Sequence, residues 1–209
     1  MNKPQGIYGI LPSDLETNDL MKRAEAALKG GLHTIQLRDK DMPFPERLAR
    51  AKVLRGLTRI YGADMIINDD IRLAIDSDAD GIHVGRTDVD DWGLFRGQLG
   101  ASRLLGVTCR QDIEFARQAM ESGADYISIG AIYPTRSKAD AELVGIEALK
   151  RARKALGGFC IVAVGGIQAS HLSALKAAGA SAVAMISGLF ATDNIEAHTR
   201  RLIEHWEAA

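Results

Sequence analysis

Two cations and an amide fall on one side of the run Gln36-Leu37-Arg38-Asp39-Lys40 if the backbone there is extended, because alternate side chains then share a face. Gln36, Arg38 and Lys40 would then converge, although the run alone reads equally well as a charged strand-to-helix turn pointing into water. The runs Ile67-Asn68-Asp69-Asp70 and His83-Val84-Gly85-Arg86-Thr87-Asp88 each lead from apolar residues into carboxylates. Asp69 and Asp88, offered from neighbouring loops, suit Mg²⁺, which takes one or two carboxylates and fills its shell with water and substrate phosphate. No paired Cys or His points to zinc. Asp70 reads as a helix N-cap, since an apolar turn begins immediately after it. His83 has two readings of equal weight, a hydrogen-bonded structural histidine and a group that touches substrate.

The segment Gly130-Ala131-Ile132-Tyr133-Pro134-Thr135-Arg136-Ser137-Lys138 carries hydroxyls and cations without a hydrophobic period. A loop of that length in a compact domain is more often functional than a plain connection, and Thr135, Ser137 and Lys138 are its candidate ligands for diphosphate oxygens. Two further loops, Val164-Gly165-Gly166-Ile167 and Met185-Ile186-Ser187-Gly188, expose backbone N–H groups through their glycines. Glycine also serves tight turns, so either loop alone says little.

The elements that position these groups repeat along the chain. Short apolar runs at Ile7 to Leu11, Thr34 to Leu37, Met65 to Ile67, Gly81 to Val84, Leu104 to Val107, Tyr126 to Ile129, Cys160 to Val164 and Ala182 to Ile186 read as eight strands. Between them, Leu20 to Lys29, Pro45 to Arg59, Ile71 to Asp76, Trp92 to Gln98, Ile113 to Ser122, Ile146 to Leu156, Ala169 to Ala178 and Ile195 to His205 read as helices, several followed by a glycine suited to a left-handed cap. Eight βα units without a linker predict a single α/β domain over residues 1–209, a (β/α)8 TIM barrel. An open doubly wound sheet is the structural alternative. In both, ligands sit beyond the strand C-termini, and the glycine loops follow strands seven and eight, where barrels commonly hold phosphate.

Composition narrows the partners. With 209 residues, 46% of them hydrophobic, the chain can bury a core without disulfide or metal staples. Lys and Arg number 26 against 27 Asp and Glu, which leaves no broad basic face for nucleic acid. No apolar run reaches the ~20 residues of a membrane span, the opening MNKPQG does not read as a signal peptide, and Cys109 and Cys160 match no metal-ligand spacing. A cytoplasmic protein is expected.

Carrying QLRDK, INDD, GIHVGRTD, YPTRSK and VGGI in this order, the chain resembles the thiamine-phosphate synthase family over essentially its full length. The resemblance implies a transferase, a thiamine-phosphate diphosphorylase. It would join 4-amino-2-methyl-5-hydroxymethylpyrimidine diphosphate to 4-methyl-5-(2-phosphoethyl)thiazole by a dissociative, Mg²⁺-assisted route that releases diphosphate. It also implies that Gln36, Arg38, Lys40 and Asn68 contact the pyrimidine diphosphate, that Asp69 and Asp88 hold the metal, and that Thr135, Ser137 and Lys138 bind phosphate groups. Gly166, with the Ile186-Ser187 backbone, matches the thiazole-phosphate site. Arg38, Lys40 and Lys138 are the implied catalytic cations.

Three positions depart from the family pattern. Asp39 stands where Glu is usual, on the outward side of the strand, and Arg86 replaces a common Gln. Thr108 holds the place of a frequent Ser after strand five and keeps a hydroxyl that substrate could use. Two rival readings stay open, a thiazole tautomerase-like relative with the same barrel and a silent barrel that only binds a phosphate ligand.

Overall fold

A computed structural model describes residues 2–39, 42–135 and 142–209. Strands and helices alternate in the order β1 (Gly6–Ile10), α1 (Thr17–Lys29), β2 (Thr34–Leu37), α2 (Phe44–Ile60), β3 (Asp64–Asn68), α3 (Ile71–Asp76), β4 (Gly81–Val84) and α4 (Trp92–Leu99). They continue through β5 (Leu104–Arg110), α5 (Ile113–Glu121), β6 (Tyr126–Ile129), α6 (Gly145–Leu156), β7 (Ile161–Val164), α7 (Leu172–Ala177), β8 (Ala182–Met185), α8 (Ser187–Phe190) and α9 (Ile195–Ala208). All strands pair in parallel in sequence order, and β8 returns to β1 through Ile7 against Val183, so the sheet closes into the expected barrel and the open-sheet alternative is excluded.

Two apolar layers hold it together. Outward-facing strand residues such as Ile35, Ile67, Ile82, Val107 and Ile127 pack under the helices with Leu20, Leu54, Phe115 and Leu149, all buried. That burial makes each strand nearly continuous in apolar residues, as parallel strands covered on both faces must be. A smaller cluster of Tyr8, Ile66, Leu104, Tyr126, Val162 and Ala184 fills the inside of the barrel. Side chains start several helices: Asp70 accepts from the Leu73 N–H, Asp91 from Leu94, Asp112 from Phe115 and Asn194 from Ala197. Each supplies one acceptor that a helix N-terminus otherwise lacks. Asp70 is thus the N-cap its sequence context indicates.

Most expected boundaries fall within a few residues of those observed. β5 differs in substance, because it continues past Val107 to Arg110 through a register shift between Thr108 and Arg110. Thr108 therefore lies inside the strand, opposite Ser128, rather than in a loop after it. A bulge of this kind lets one extra residue enter the strand and re-aims its neighbours. α7 is preceded by a 3-10 turn over Ala169–His171, and a further one covers Arg86–Asp88. The single-turn α8 is too short to leave a helical period in the sequence. No helix among the described residues is long and apolar enough to cross a membrane.

Candidate active site

A cavity of about 670 Å³ opens at the C-terminal ends of the strands. On its β2–β4 side it is lined by Gln36, Arg38, Asn68, Asp69 and Asp88, and by Thr108 of β5. Thr135, Gly166, Ile186 and Ser187 line the other side. Every expected site residue that the structure describes is therefore on this one cavity. Lys40, Ser137 and Lys138 lie outside the described residues.

Alternation along β2 delivers its residues as the sequence implies. Gln36 and Arg38 face the cavity, while Leu37 joins the apolar layer under the helices and Asp39 turns the same way. Asp39 meets Arg50 of α2 at 2.9 Å, with only 2% and 3% of the two side chains exposed. Arg50 also donates to Thr17 Oγ1 and to the Leu15 carbonyl, so one guanidinium ties together the end of β2, the start of α1 and α2. The outward aspartate is a buried strut beneath Arg38.

β3 and β4 carry the carboxylates. Asp69 sits in the left-handed region at φ 63°, which non-glycine residues rarely occupy and Asp tolerates better than most. Its amide donates to the His83 carbonyl at 2.8 Å, fixing the turn to the neighbouring strand. Asp88 closes the turn after β4, one of its oxygens accepting the Gly85 N–H at 2.6 Å. The described residues contain no cluster of three or more His, Cys, Asp or Glu placed to hold a metal. Two carboxylates on one polar wall, among described residues that form no His- or Cys-bearing metal cluster, are a donor set that fits Mg²⁺ completed by substrate oxygens.

Below this wall lies a set of polar groups that strand ends alone do not reveal. Gln36 donates to the Tyr8 hydroxyl at 2.8 Å, Tyr8 meets the Tyr126 hydroxyl at 3.2 Å, and Tyr126 meets His83 Nδ1 at 3.2 Å. His83 Nε2 then lies 2.8 Å from Thr108 Oγ1, with Ser128 3.4 Å from both. The strand interiors are therefore not uniformly apolar. Tyr126 reaches across the barrel only because its register partner is Gly106: a Cβ there would lie 2.1 Å from the Tyr126 ring. An isolated glycine inside a strand is the sequence signal of such a close approach.

His83 is hydrogen-bonded on both nitrogens, as the structural reading has it, and it also lines the cavity. Desolvation pushes its pKa from 6.5 down to about 4, with the Asp88 charge acting in the opposite direction. The ring is neutral at pH 7. Burial likewise drives the Tyr8 and Tyr126 phenols upward, so the chain of hydroxyls stays protonated. The unfolded chain binds a proton near 6.5 and the folded one only near 4, so the stability linked to His83 is whole above 6.5 and lost as pH falls through that interval. His83→Gln should flatten the decline of urea-unfolding stability across this window. An unchanged slope would contradict it.

The opposite wall is made by three loops packed backbone against backbone. Gly166 adopts φ 62°, and a Cβ on it would come within 2.3 Å of the Pro134 carbonyl oxygen. Gly188 is pressed in the same way against the Ile167 carbonyl, 2.2 Å from where its Cβ would be. Glycine serves here both the turn and the approach. The first N–H groups of α8, at Ser187 and Gly188 on the cavity wall, belong to a helix start and lack intrahelical acceptors, so they can receive phosphate oxygens. Tyr133 stacks on His171 at 3.8 Å, joining the loops after β6 and β7.

The cavity thus presents a cation-and-carboxylate wall, a backbone-amide wall, and neutral hydroxyls between them. Cys109 also lines it, but burial pushes its thiol up to about 12, so it offers no thiolate. That inventory suits stabilisation of a departing anion rather than covalent catalysis.

A family model described as thiamine monophosphate synthase matches residues 7–189. The thiamine-phosphate synthase of Thioalkalivibrio sulfidiphilus is 39% identical over 206 residues, covering 97% of this chain and 96% of that protein. That of Chromobacterium violaceum is 40% identical over 198 residues, covering 95% and 94%. Among solved structures, a thiamine phosphate pyrophosphorylase from Pyrococcus furiosus superposes with a TM-score of 0.86 at 28% identity, covering 98% of this chain and 96% of that one. With its fold, its cavity and its full-length relatives in agreement, the chain belongs to the thiamine monophosphate synthase family and is a transferase.

Proposed function

We propose that the chain condenses 4-amino-2-methyl-5-hydroxymethylpyrimidine diphosphate with 4-methyl-5-(2-phosphoethyl)thiazole, giving thiamine phosphate and diphosphate. The observation that supports this most is the meeting of two unlike anion walls on one cavity, with Arg38, Asp69 and Asp88 facing the Gly166 and Ser187 loops. A diphosphate with its metal suits the first wall and a phosphomonoester suits the second.

In this reading the bond between the pyrimidine methylene and the diphosphate oxygen breaks, and its electron pair leaves with diphosphate. The thiazole nitrogen lone pair then closes on the pyrimidine-methyl cation. Arg38, with Lys40 and Lys138, compensates the charge gathering on the leaving group. Gln36 and Asn68 orient the pyrimidine diphosphate. The phosphate loops fix the thiazole so that its nitrogen faces the methylene, a gain of proximity rather than of acid–base chemistry. The hydroxyls of Thr108 and Ser128, held by the neutral His83 ring, offer hydrogen bonds to the pyrimidine. Asp69 and Asp88 would hold Mg²⁺, which supplies Lewis-acid neutralisation of the diphosphate oxygens when bound.

The partners are then small phosphorylated molecules, with no part for nucleic acid or membrane. A cytoplasmic setting follows from the same chemistry, because phosphorylated substrates do not pass an apolar bilayer unaided.

The test is turnover. Purified protein given both substrates and Mg²⁺ is expected to form thiamine phosphate, read as thiochrome fluorescence, and to stop when the metal is chelated. Substrate binding without product would overturn the proposal in favour of a silent phosphate-binding barrel, and isomerised thiazole without condensation would favour a tautomerase-like relative.

A further inference from the structure

Arg86 lines the cavity, yet the reaction proposed above gives it no task. Its guanidinium is paired with Asp112 and lies 4.0 Å over the Phe115 ring. Asp112 is itself committed on its other oxygen, which accepts the Phe115 N–H at 2.9 Å and caps α5. The carboxylate therefore cannot follow Arg86 if it moves. Arg86 begins the 3-10 turn that ends in Asp88, and that turn is otherwise closed on itself by the Gly85 N–H donated to Asp88.

We propose that Arg86 is a positioning residue, whose tether to Asp112 and Phe115 holds the Arg86–Asp88 turn so that the Asp88 carboxylate faces the diphosphate side of the cavity. The inference rests on Asp88 being a metal ligand. An arginine so near a diphosphate site could instead be a further direct ligand for the anion. Its charge is already compensated by Asp112, however, and the contact over the Phe115 ring holds the guanidinium at α5. The tether joins a short turn to α5, whose Phe115, Ala116 and Ala119 are anchored in the core, which is how such a turn gains a defined position.

Asp112→Asn separates the two roles, because Asn caps a helix as well as Asp and the substitution removes only the charge. Arg86→Gln removes both the ion pair and the ring contact. The pair is exposed, with 57% and 45% of the two side chains in contact with solvent, so a modest effect is expected. Hydrogen exchange at the Gly85 amide, followed by NMR in the metal-free protein, should quicken about two- to fivefold in Asp112→Asn, the factor an exposed ion pair of ordinary strength allows. In Arg86→Gln it should quicken further, by the share of the cation–π contact. Mn²⁺ affinity in the presence of inorganic diphosphate, read by electron paramagnetic resonance, should weaken in the same order.

Unchanged Gly85 exchange in both variants would overturn the tether. Faster exchange with Mn²⁺ affinity untouched would overturn its service to Asp88. If Arg86 were a direct anion ligand, Asp112→Asn would free it and tighten diphosphate binding, the opposite sign. A parent protein that takes up no Mn²⁺ with diphosphate would instead refute Asp88 as a ligand, a separate failure, because Gly85 exchange reports the tether without metal.

Discussion

Replacing Asp39 by alanine is expected to remove about 3–5 kcal/mol of stability, the usual cost of leaving one partner of a buried ion pair behind. Arg50 would keep its bonds to Thr17 and the Leu15 carbonyl but lose its only counter-charge among the described contacts, with 3% of its side chain exposed. A guanidinium cannot shed its proton to escape, so the desolvation cost stays. The effect should also reach the cavity, because Asp39 follows Arg38 directly in the chain. The double variant Asp39→Ala/Arg50→Met should recover much of the loss, since an apolar replacement of the whole pair leaves no buried charge. Urea unfolding of the parent, both single variants and the double measures this cycle. A loss under about 1 kcal/mol for Asp39→Ala would mean that the pair behaves like a surface one.

Arg38→Ala is expected to lower kcat by about a hundredfold, roughly 3 kcal/mol of transition-state stabilisation, on the scale of removing one preorganised donor from a developing anion. Arg38 follows β2, on the wall proposed for the diphosphate, whereas Gly166 and Ser187 line the cavity after β7 and β8. Affinity for the thiazole phosphate alone should consequently move by less than about twofold, as is usual for a substitution that touches no shared partner. Steady-state rates with calorimetric binding of the thiazole phosphate separate the two effects. Equal losses in both would place Arg38 between the sites rather than on one of them.

Much of this architecture is legible in the chain because two periods govern it. Alternation along β2 shows that Gln36 and Arg38 share a face opposite Leu37 and Asp39, and closure of the barrel only supplies what each face meets. The same logic puts Asp69 and Asp88 beyond neighbouring strands. What periodicity does not carry is distance across the barrel. The Tyr8–Tyr126–His83–Thr108 chain joins four strands, and Tyr126 finds room only through Gly106 on its neighbour. Gly106 was the visible sign, since a lone glycine in an apolar strand usually marks a close approach.

Asp39 shows the same limit from the other side. Its outward direction follows from alternation, but its burial depends on Arg50, which comes from α2 and has no period in common with β2. The bulge that draws Thr108 into β5 is equally hidden, because an extra strand residue looks like the first residue of a loop. Arg86 and Asp112 belong to different βα units, so their pairing appears only when the units stand side by side.

The proposed site holds two anions on separate walls of one cavity, and the most direct measurement is a crystal structure of the protein with Mn²⁺, diphosphate and the thiazole phosphate. Anomalous scattering is expected to place the metal between Asp69, Asp88 and the diphosphate, with the thiazole phosphate on the amides of the Gly166 and Ser187 loops. A metal bound away from both aspartates, or both anions gathered on the same loops, would contradict the account.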